Sequence, residues 1–331
     1  MLAFLRDLRH TVRMNYVVGV LLCVASIGLC SACSNEQSLA PDGGSTTTDA
    51  MVTPDAPPAP IDEGMSDAGP LRVDPLMPTV VGPCGDFSTT GTVMLAGPSG
   101  TSRAAQIWVS DAAATLDGPL VFYWHGAGGS PDEATSVLGP AMTDVLAAGG
   151  IVVALTHDPA AGTFPWFLTA GTRQDDLDFA DEAVACAEST IGIDEHRIHA
   201  IGFSAGALHV GQMAFLRTSY LASVVTYSGG LIARNAPTPD APDARIAAMA
   251  LFGGADDVVV ISFTTATRNF RDALRRGGHF VFTCDHGMGH TVPRAAIPFA
   301  WQFLQDHPYG AQPPAYQAGL PDGFYAPCSL L

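Results

Sequence analysis

The sequence contains no lysine: all 15 of its basic side chains are arginine. We read this as a compositional habit and not as a binding device. Charge of either sign is scarce, at 14% of 331 residues against 47% hydrophobic. That balance excludes a chain disordered throughout and suits a large buried core. Positive charge is the scarcer sign. The formal net charge is −17, and no basic cluster occurs beyond residue 13, which excludes nucleic acid and anionic membrane surfaces as partners. The apolar run from Tyr16 to Leu29 falls short of the about 20 residues that a spanning helix needs. There is no internal repeat, and no separate carbohydrate- or polymer-binding domain.

The N-terminus has the layout of an export signal. Arg6, Arg9 and Arg13 precede the apolar run, which ends in the small-residue patch Cys30-Ser31-Ala32-Cys33. Leu29-Cys30-Ser31-Ala32-Cys33 also resembles a bacterial lipoprotein processing site with Cys33 as the acylated residue, although Cys30 stands where Leu is usual. Residues 1–32 are thus expected to be a signal peptide of lipoprotein type, whose lipid would be the one link to a membrane. Ordinary cleavage and a free exported product are the alternative. Residues 33–83 lack apolar periodicity. Gly43-Gly44-Ser45-Thr46-Thr47-Thr48-Asp49 and Pro54-Asp55-Ala56-Pro57-Pro58-Ala59-Pro60 cannot bury enough surface to offset their ordering entropy. They predict a flexible tether of roughly 40 Å root-mean-square reach. The domain expected from 84 to 331 holds Cys84, Cys186, Cys284 and Cys328. An even number in an exported chain predicts two disulfides, with three pairings open.

From Cys84 onward β-rich apolar runs alternate with helical spacing. Strands are predicted at Ala104–Ser110, Pro119–Trp124, Ile151–Thr156, Arg197–Phe203, Ala222–Tyr227, Ala247–Phe252 and His279–Cys284. Helices are predicted at Pro131–Ala148, Asp175–Thr190, Ala205–Arg217, Phe263–Arg276 and Ala295–Asp306. Continuously apolar strands in β–α alternation imply a mostly parallel sheet covered on both faces, in a single catalytic α/β domain.

Gly202-Phe203-Ser204-Ala205-Gly206 sits between a predicted strand and a predicted helix. A sharp strand-to-helix turn strains the central residue and exposes its side chain, and flanking glycines relieve the crowding. Ser204 is therefore a candidate nucleophile. A serine here could instead cap the helix, but capping does not require Gly on both sides. A nucleophilic serine needs a base and an orienting acid later in the chain. His290, in Gly287-Met288-Gly289-His290 after a strand, is the candidate base, with His286 its nearest rival. Asp256, in Gly253-Gly254-Ala255-Asp256-Asp257 after another strand, is the candidate acid, with Asp257 the alternative. The developing oxyanion needs preset donors. The Ala205 N–H is one, and Ala127 in His125-Gly126-Ala127-Gly128-Gly129 supplies the other.

Tyr123-Trp124-His125-Gly126-Ala127-Gly128-Gly129, Ile193-Asp194-x-x-Arg197-Ile198, Gly202-x-Ser204-x-Gly206, Gly253-x-x-Asp256 and Gly289-His290-Thr291-x-Pro293 occur in that order. Together, over residues 85–307, they resemble the α/β-hydrolase esterases that include polyhydroxybutyrate depolymerases, feruloyl esterases and acetyl xylan esterases. The spacing of that group selects Asp256 over Asp257. Asp175-Asp176-Leu177-Asp178-Phe179 matches its helix opening. Trp166-Phe167 matches its aromatic loop, which with His125 gives candidate substrate-binding residues. The resemblance implies an acyl-enzyme route on an ester substrate, small or polymeric, with no metal and no cofactor. Phe252 stands where His often precedes the acid-loop Gly, and Ala207 replaces a common third Gly; both weaken any particular substrate. Two other readings compete. Cys284, Asp285, His286 and His290 could ligate zinc, but Gly287 and Gly289 disfavour the helix which that spacing needs. A surface-tethered binding module without catalysis would have no reason to keep Ser204, an acid and His290 all at strand ends.

Overall fold

Pro119 precedes five consecutive residues, Leu120–Trp124, that are completely buried. A strand apolar on both faces needs a layer on each side. The computed structural model describes residues 73–97, 100–161, 165–166 and 175–330, and shows such layers. The strands are β1 (Gly91–Ala96), β2 (Ser102–Trp108), β3 (Leu120–Trp124), β4 (Ile151–Leu155), β5 (Ile198–Phe203), β6 (Ser223–Tyr227), β7 (Ala247–Phe252), β8 (Phe280–Asp285) and β9 (Cys328–Ser329). The helices are α1 (Glu133–Leu138), α2 (Pro140–Ala147), α3 (Asp175–Ile191), α4 (Ala205–Leu216), α5 (Phe263–Arg276) and α6 (Ile297–Asp306).

The nine strands of the described residues form one sheet, in the order β1-β2-β4-β3-β5-β6-β7-β8-β9. β3 to β8 run parallel, while β1, β2 and β9 are antiparallel additions at the two edges. Alternate side chains sort onto two faces. Leu120, Phe122 and Trp124 join Ile151, Val153 and Leu155 under α3, α4 and α5. Val121 and Tyr123 join Val152 and Ala154 under α1, α2 and α6. The chain leaves β3 for β4 on one side and then returns to β5 on the other. Open α/β sheets bind ligands at the carboxyl ends of strands beside such a reversal.

Three expectations need correcting. The helix predicted over Pro131–Ala148 is two helices broken at Gly139, whose φ of 52° lies outside helical space. Pro140 explains the break, because proline disfavours helical geometry in the residue before it. β1 and β9 were not foreseen: β1 is a short edge strand with one buried face, and β9 is only two residues long. Residues 73–83, assigned by composition to the tether, dock on the domain. The Val81 and Gly82 N–H groups donate to the buried Glu182 carboxylate at 2.7 and 3.0 Å, and the Leu76 N–H donates to the Ser219 carbonyl. Residues 1–72, including Cys33, lie outside the described residues.

The four cysteines of the domain pair as Cys84–Cys186 and Cys284–Cys328. The first ties the docked segment to α3, and the second ties β9 to β8. Closing loops of 102 and 44 residues removes about 4–5 kcal/mol of denatured-chain entropy each. Among the described residues no helix is long and apolar enough to cross a membrane.

Candidate active site

β5 ends at Phe203 and α4 begins at Ala205, so a single residue makes the turn. Ser204 takes φ 56° and ψ −120°, a conformation costly for a side chain other than glycine. The surrounding structure enforces it. A Cβ on Gly202 would meet the Gly206 backbone at 2.6 Å, and one on Gly206 would meet the Trp124 carbonyl oxygen at 1.9 Å. Both glycines are therefore required, since α4 starts in contact with the ends of β3 and β5. The Ser204 N–H donates to the Tyr227 carbonyl, while its side chain makes no capping bond to α4. The capping alternative is thereby removed.

The Ser204 hydroxyl turns instead to His290, with Oγ 2.9 Å from Nε2. The other ring nitrogen, Nδ1, lies 2.7 Å from Oδ1 of Asp257. The imidazole stacks on Phe263, centroids 4.3 Å apart, and Phe203 flanks it at 5.0 Å. Two aromatic rings thus fix a ring whose nitrogens both have partners. Here the structure corrects the choice of acid. Asp257 is fully buried and faces His290, whereas Asp256 is exposed in a short 3₁₀ turn. The Gly254–Asp256 turn rotates successive side chains away from each other, so only one of two adjacent aspartates can point inward. Burial alone would raise the Asp257 carboxyl, but hydrogen bonds from His290 and the Gly253 N–H outweigh it and hold it below its ordinary range. The carboxylate is thus ionised near neutral pH, beside His290.

The loop after β3 lies against Ser204, where a Cβ on Gly126 would come within 3.2 Å of the Ser204 Cβ. Ala127 is exposed at its tip, and Ala205 opens α4, where a helix leaves its first N–H groups without intrahelical acceptors. Ala205 follows Ser204 directly, and Ala127 follows the Gly126 that lies against it. His125 and Trp166 do not line an open substrate surface as expected. They are 0% and 1% exposed, and the Trp166 indole N–H donates to the His125 carbonyl at 2.9 Å. Their place is beneath the loop, packed together at 4.8 Å. Phe167 lies outside the described residues.

The zinc set is dispersed by the same geometry. Cys284 is tied up in a disulfide, and both His290 nitrogens face Ser204 and Asp257. His286 is set aside as a base, since its ring Nδ1 accepts from the Met288 N–H. Two contributors escaped the sequence reading. Phe263, the stacking partner of His290, reads as one more apolar residue after Val258-Val259-Val260-Ile261. Glu133 reads as an ordinary acid in a helix's first turn, yet its carboxylate reaches back to the loop after β3.

A strained serine between a parallel strand and a helix, with a histidine and then an acid reaching it from later strand ends, decides the architecture. This is the α/β-hydrolase fold. The family model described as Phospholipase/Carboxylesterase matches residues 181–308, the stretch that carries Ser204, Asp257 and His290. "Putative esterase NocK" of Nocardia uniformis subsp. tsuyamanensis is 28% identical over 208 residues, 60% of this chain; those residues span 57% of that protein's length. Among solved structures, a pOPH variant in complex with DMSO superposes with a TM-score of 0.61 at 16% identity, covering 76% of this chain and 95% of its own. A thermostable esterase superposes at 0.50 with 18% identity, over 67% of this chain and 64% of its own. At these identities the superpositions speak to fold.

Proposed function

We propose that this α/β-hydrolase is a carboxylic ester hydrolase working through Ser204, His290 and Asp257. The observation that carries the reading is the continuous relay Ser204 Oγ to His290 Nε2 at 2.9 Å and His290 Nδ1 to Asp257 at 2.7 Å. Ser204 Oγ attacks the ester carbonyl while His290 takes its proton. The carbonyl oxygen, now anionic, is received by the N–H groups of Ala205 and Ala127. His290 returns the proton to the departing alcohol, leaving an acyl-serine that water releases by the same steps. Asp257 keeps the imidazole oriented and stabilises its cationic form. The similarity to the Phospholipase/Carboxylesterase family supports this chemistry over the binding-module alternative.

The finer reading follows from the sequence. The motif resemblance favours a polyhydroxyalkanoate, feruloyl or acetyl ester as substrate, and the N-terminal pattern favours export with lipid on Cys33. A fluorophosphonate should label wild-type Ser204, and Ser204→Ala should remove both labelling and hydrolysis of a simple aryl ester while circular dichroism stays unchanged. A folded Ser204→Ala protein that still hydrolyses the ester would overturn the reading. A panel of acetyl, feruloyl and hydroxybutyrate esters ranks the substrates. Intact-mass analysis of the mature N-terminus tests the lipid, and an unmodified N-terminus downstream of Cys33 would rule it out.

A further inference from the structure

The oxyanion donor on Ala127 belongs to the peptide unit that carries the Gly126 carbonyl. A trans peptide points its N–H opposite to its C=O, so whatever fixes the Gly126 carbonyl and the preceding peptide also aims the Ala127 N–H. The Trp166 indole N–H holds the carbonyl of that preceding peptide at 2.9 Å, and three more bonds complete the set. The Gly129 N–H donates to the Gly126 carbonyl at 3.0 Å, and His125 Nδ1 lies 2.8 Å from the same oxygen. A carbonyl only accepts, so Nδ1 bears the proton; Nε2 then accepts from His157 Nδ1 at 3.3 Å. On the other side, Glu133 Oε2 accepts from the Gly126 N–H at 3.0 Å and from the Tyr123 hydroxyl at 2.7 Å.

Glu133 takes the Gly126 N–H from a separate element, the first turn of α1, while Trp166 and His157 reach the loop only at the carbonyl and ring of His125. Tyr123 is completely buried at the end of β3, so its hydroxyl holds the Glu133 carboxylate to the rigid sheet. The chain of contacts runs from sheet to Tyr123, to Glu133, to Gly126, and so to the donor one residue on. The space is also close-fitting, since a Cβ on Gly129 would lie 3.1 Å from Glu133 Oε2.

We propose that Glu133 is the positioning residue of the oxyanion site, clamping the Gly126 peptide so that the Ala127 N–H faces the developing negative charge. This deepens the esterase reading and rests on it. The clamp acts in the transition state, so its loss lowers kcat and leaves KM nearly unchanged. Removing one oxyanion donor outright costs on the order of 10²–10³ in kcat. Glu133→Ala loosens that donor and is expected to lose about 10²-fold. Glu133→Gln keeps an acceptor oxygen and should recover most of the loss. Tyr123→Phe, which removes one tie, should lose several-fold.

The test measures kcat, KM and the affinity of an aryl trifluoromethyl ketone, which adds to a serine hydroxyl to form a hemiketal oxyanion in the same site. Support is a fall in kcat and in ketone affinity by matching factors, with KM steady and Gln restoring both. A folded Glu133→Ala enzyme with unchanged kcat overturns the clamp, as does a fall in kcat with ketone affinity intact. If Glu133→Ala does not fold, Tyr123→Phe and Glu133→Gln carry the same comparison. Fluorophosphonate labelling of the wild type separates the two claims: an unlabelled wild type defeats the esterase reading, whereas a labelled and active wild type with indifferent Glu133 variants defeats only the clamp.

Discussion

The nucleophile turn and the acid loop both present one side chain at a strand end, but they are held differently. Ser204 is fixed by continuous backbone: β5, one strained residue and α4, with Gly202 and Gly206 permitting contacts that no side chain would tolerate. Asp257 is held across space. Its carboxylate accepts from Gly253 and faces His290, which lies 33 residues away on another loop. That second loop is seated by backbone contact, since the Gly289 N–H donates to the Gly253 carbonyl at 2.9 Å and a Cβ on Gly253 would meet the Gly289 oxygen at 1.9 Å. Local geometry places the proposed nucleophile, and long-range packing places its partners. A fault in the first should therefore damage the fold, and a fault in the second should damage the chemistry first.

The sharpest test lies between the adjacent aspartates. Asp257→Asn should lower kcat by about 10⁴-fold, because the histidine loses its orienting anion. Asp256→Asn should leave kcat within about twofold. Equal losses in the two variants would mean that the loop samples both arrangements.

Alanine at the two crowded glycines probes the contrast directly. Gly206→Ala forces a methyl into the buried end of β3 and should destabilise the domain by about 3 kcal/mol or more. Gly253→Ala should lift the His290 loop, reducing kcat/KM by tens-fold with a smaller change in Tm. Reversal of that order, read from thermal melts beside kinetics, would break the distinction.

The mildest effect is on stability against pH. Burial drives His199 down to about 3, and His209 and His279 down to about 4, so all three are neutral in the folded state. Unfolded imidazoles titrate near 6.5 and so take up protons first as the solution is acidified. The folded state therefore keeps its full stability above about pH 6.5 and loses it progressively as pH falls toward 4. Asp257 adds to the loss lower down: its depressed carboxyl favours folding above its unfolded value near 4, and that gain disappears as pH falls through the folded value. Denaturant midpoints between pH 4 and 8 read the slope. A flat profile above pH 5 would mean that the three rings are not sealed from protons.

What the sequence determined alone is what local backbone demands dictate. Apolar runs marked six parallel strands because those strands are largely buried on both faces, and Gly202-x-Ser204-x-Gly206 marked the strained turn at Ser204 because only glycine fits a strand pressed against its following helix. His290 was legible from its Gly-rich loop after β8. What the tertiary structure decided is every choice between near-equal neighbours. Asp256 and Asp257 are chemically identical, and only the turn at Gly254–Asp256 says which one is turned inward. The pairing of four cysteines and the edge strand β9 depend on partners distant in the chain, whereas the break at Gly139 is local, set by the Pro140 that follows it. Glu133 carries no signature of its own; its place at the oxyanion loop exists only because α1 folds back over the end of β3, bringing its carboxylate to the Gly126 N–H.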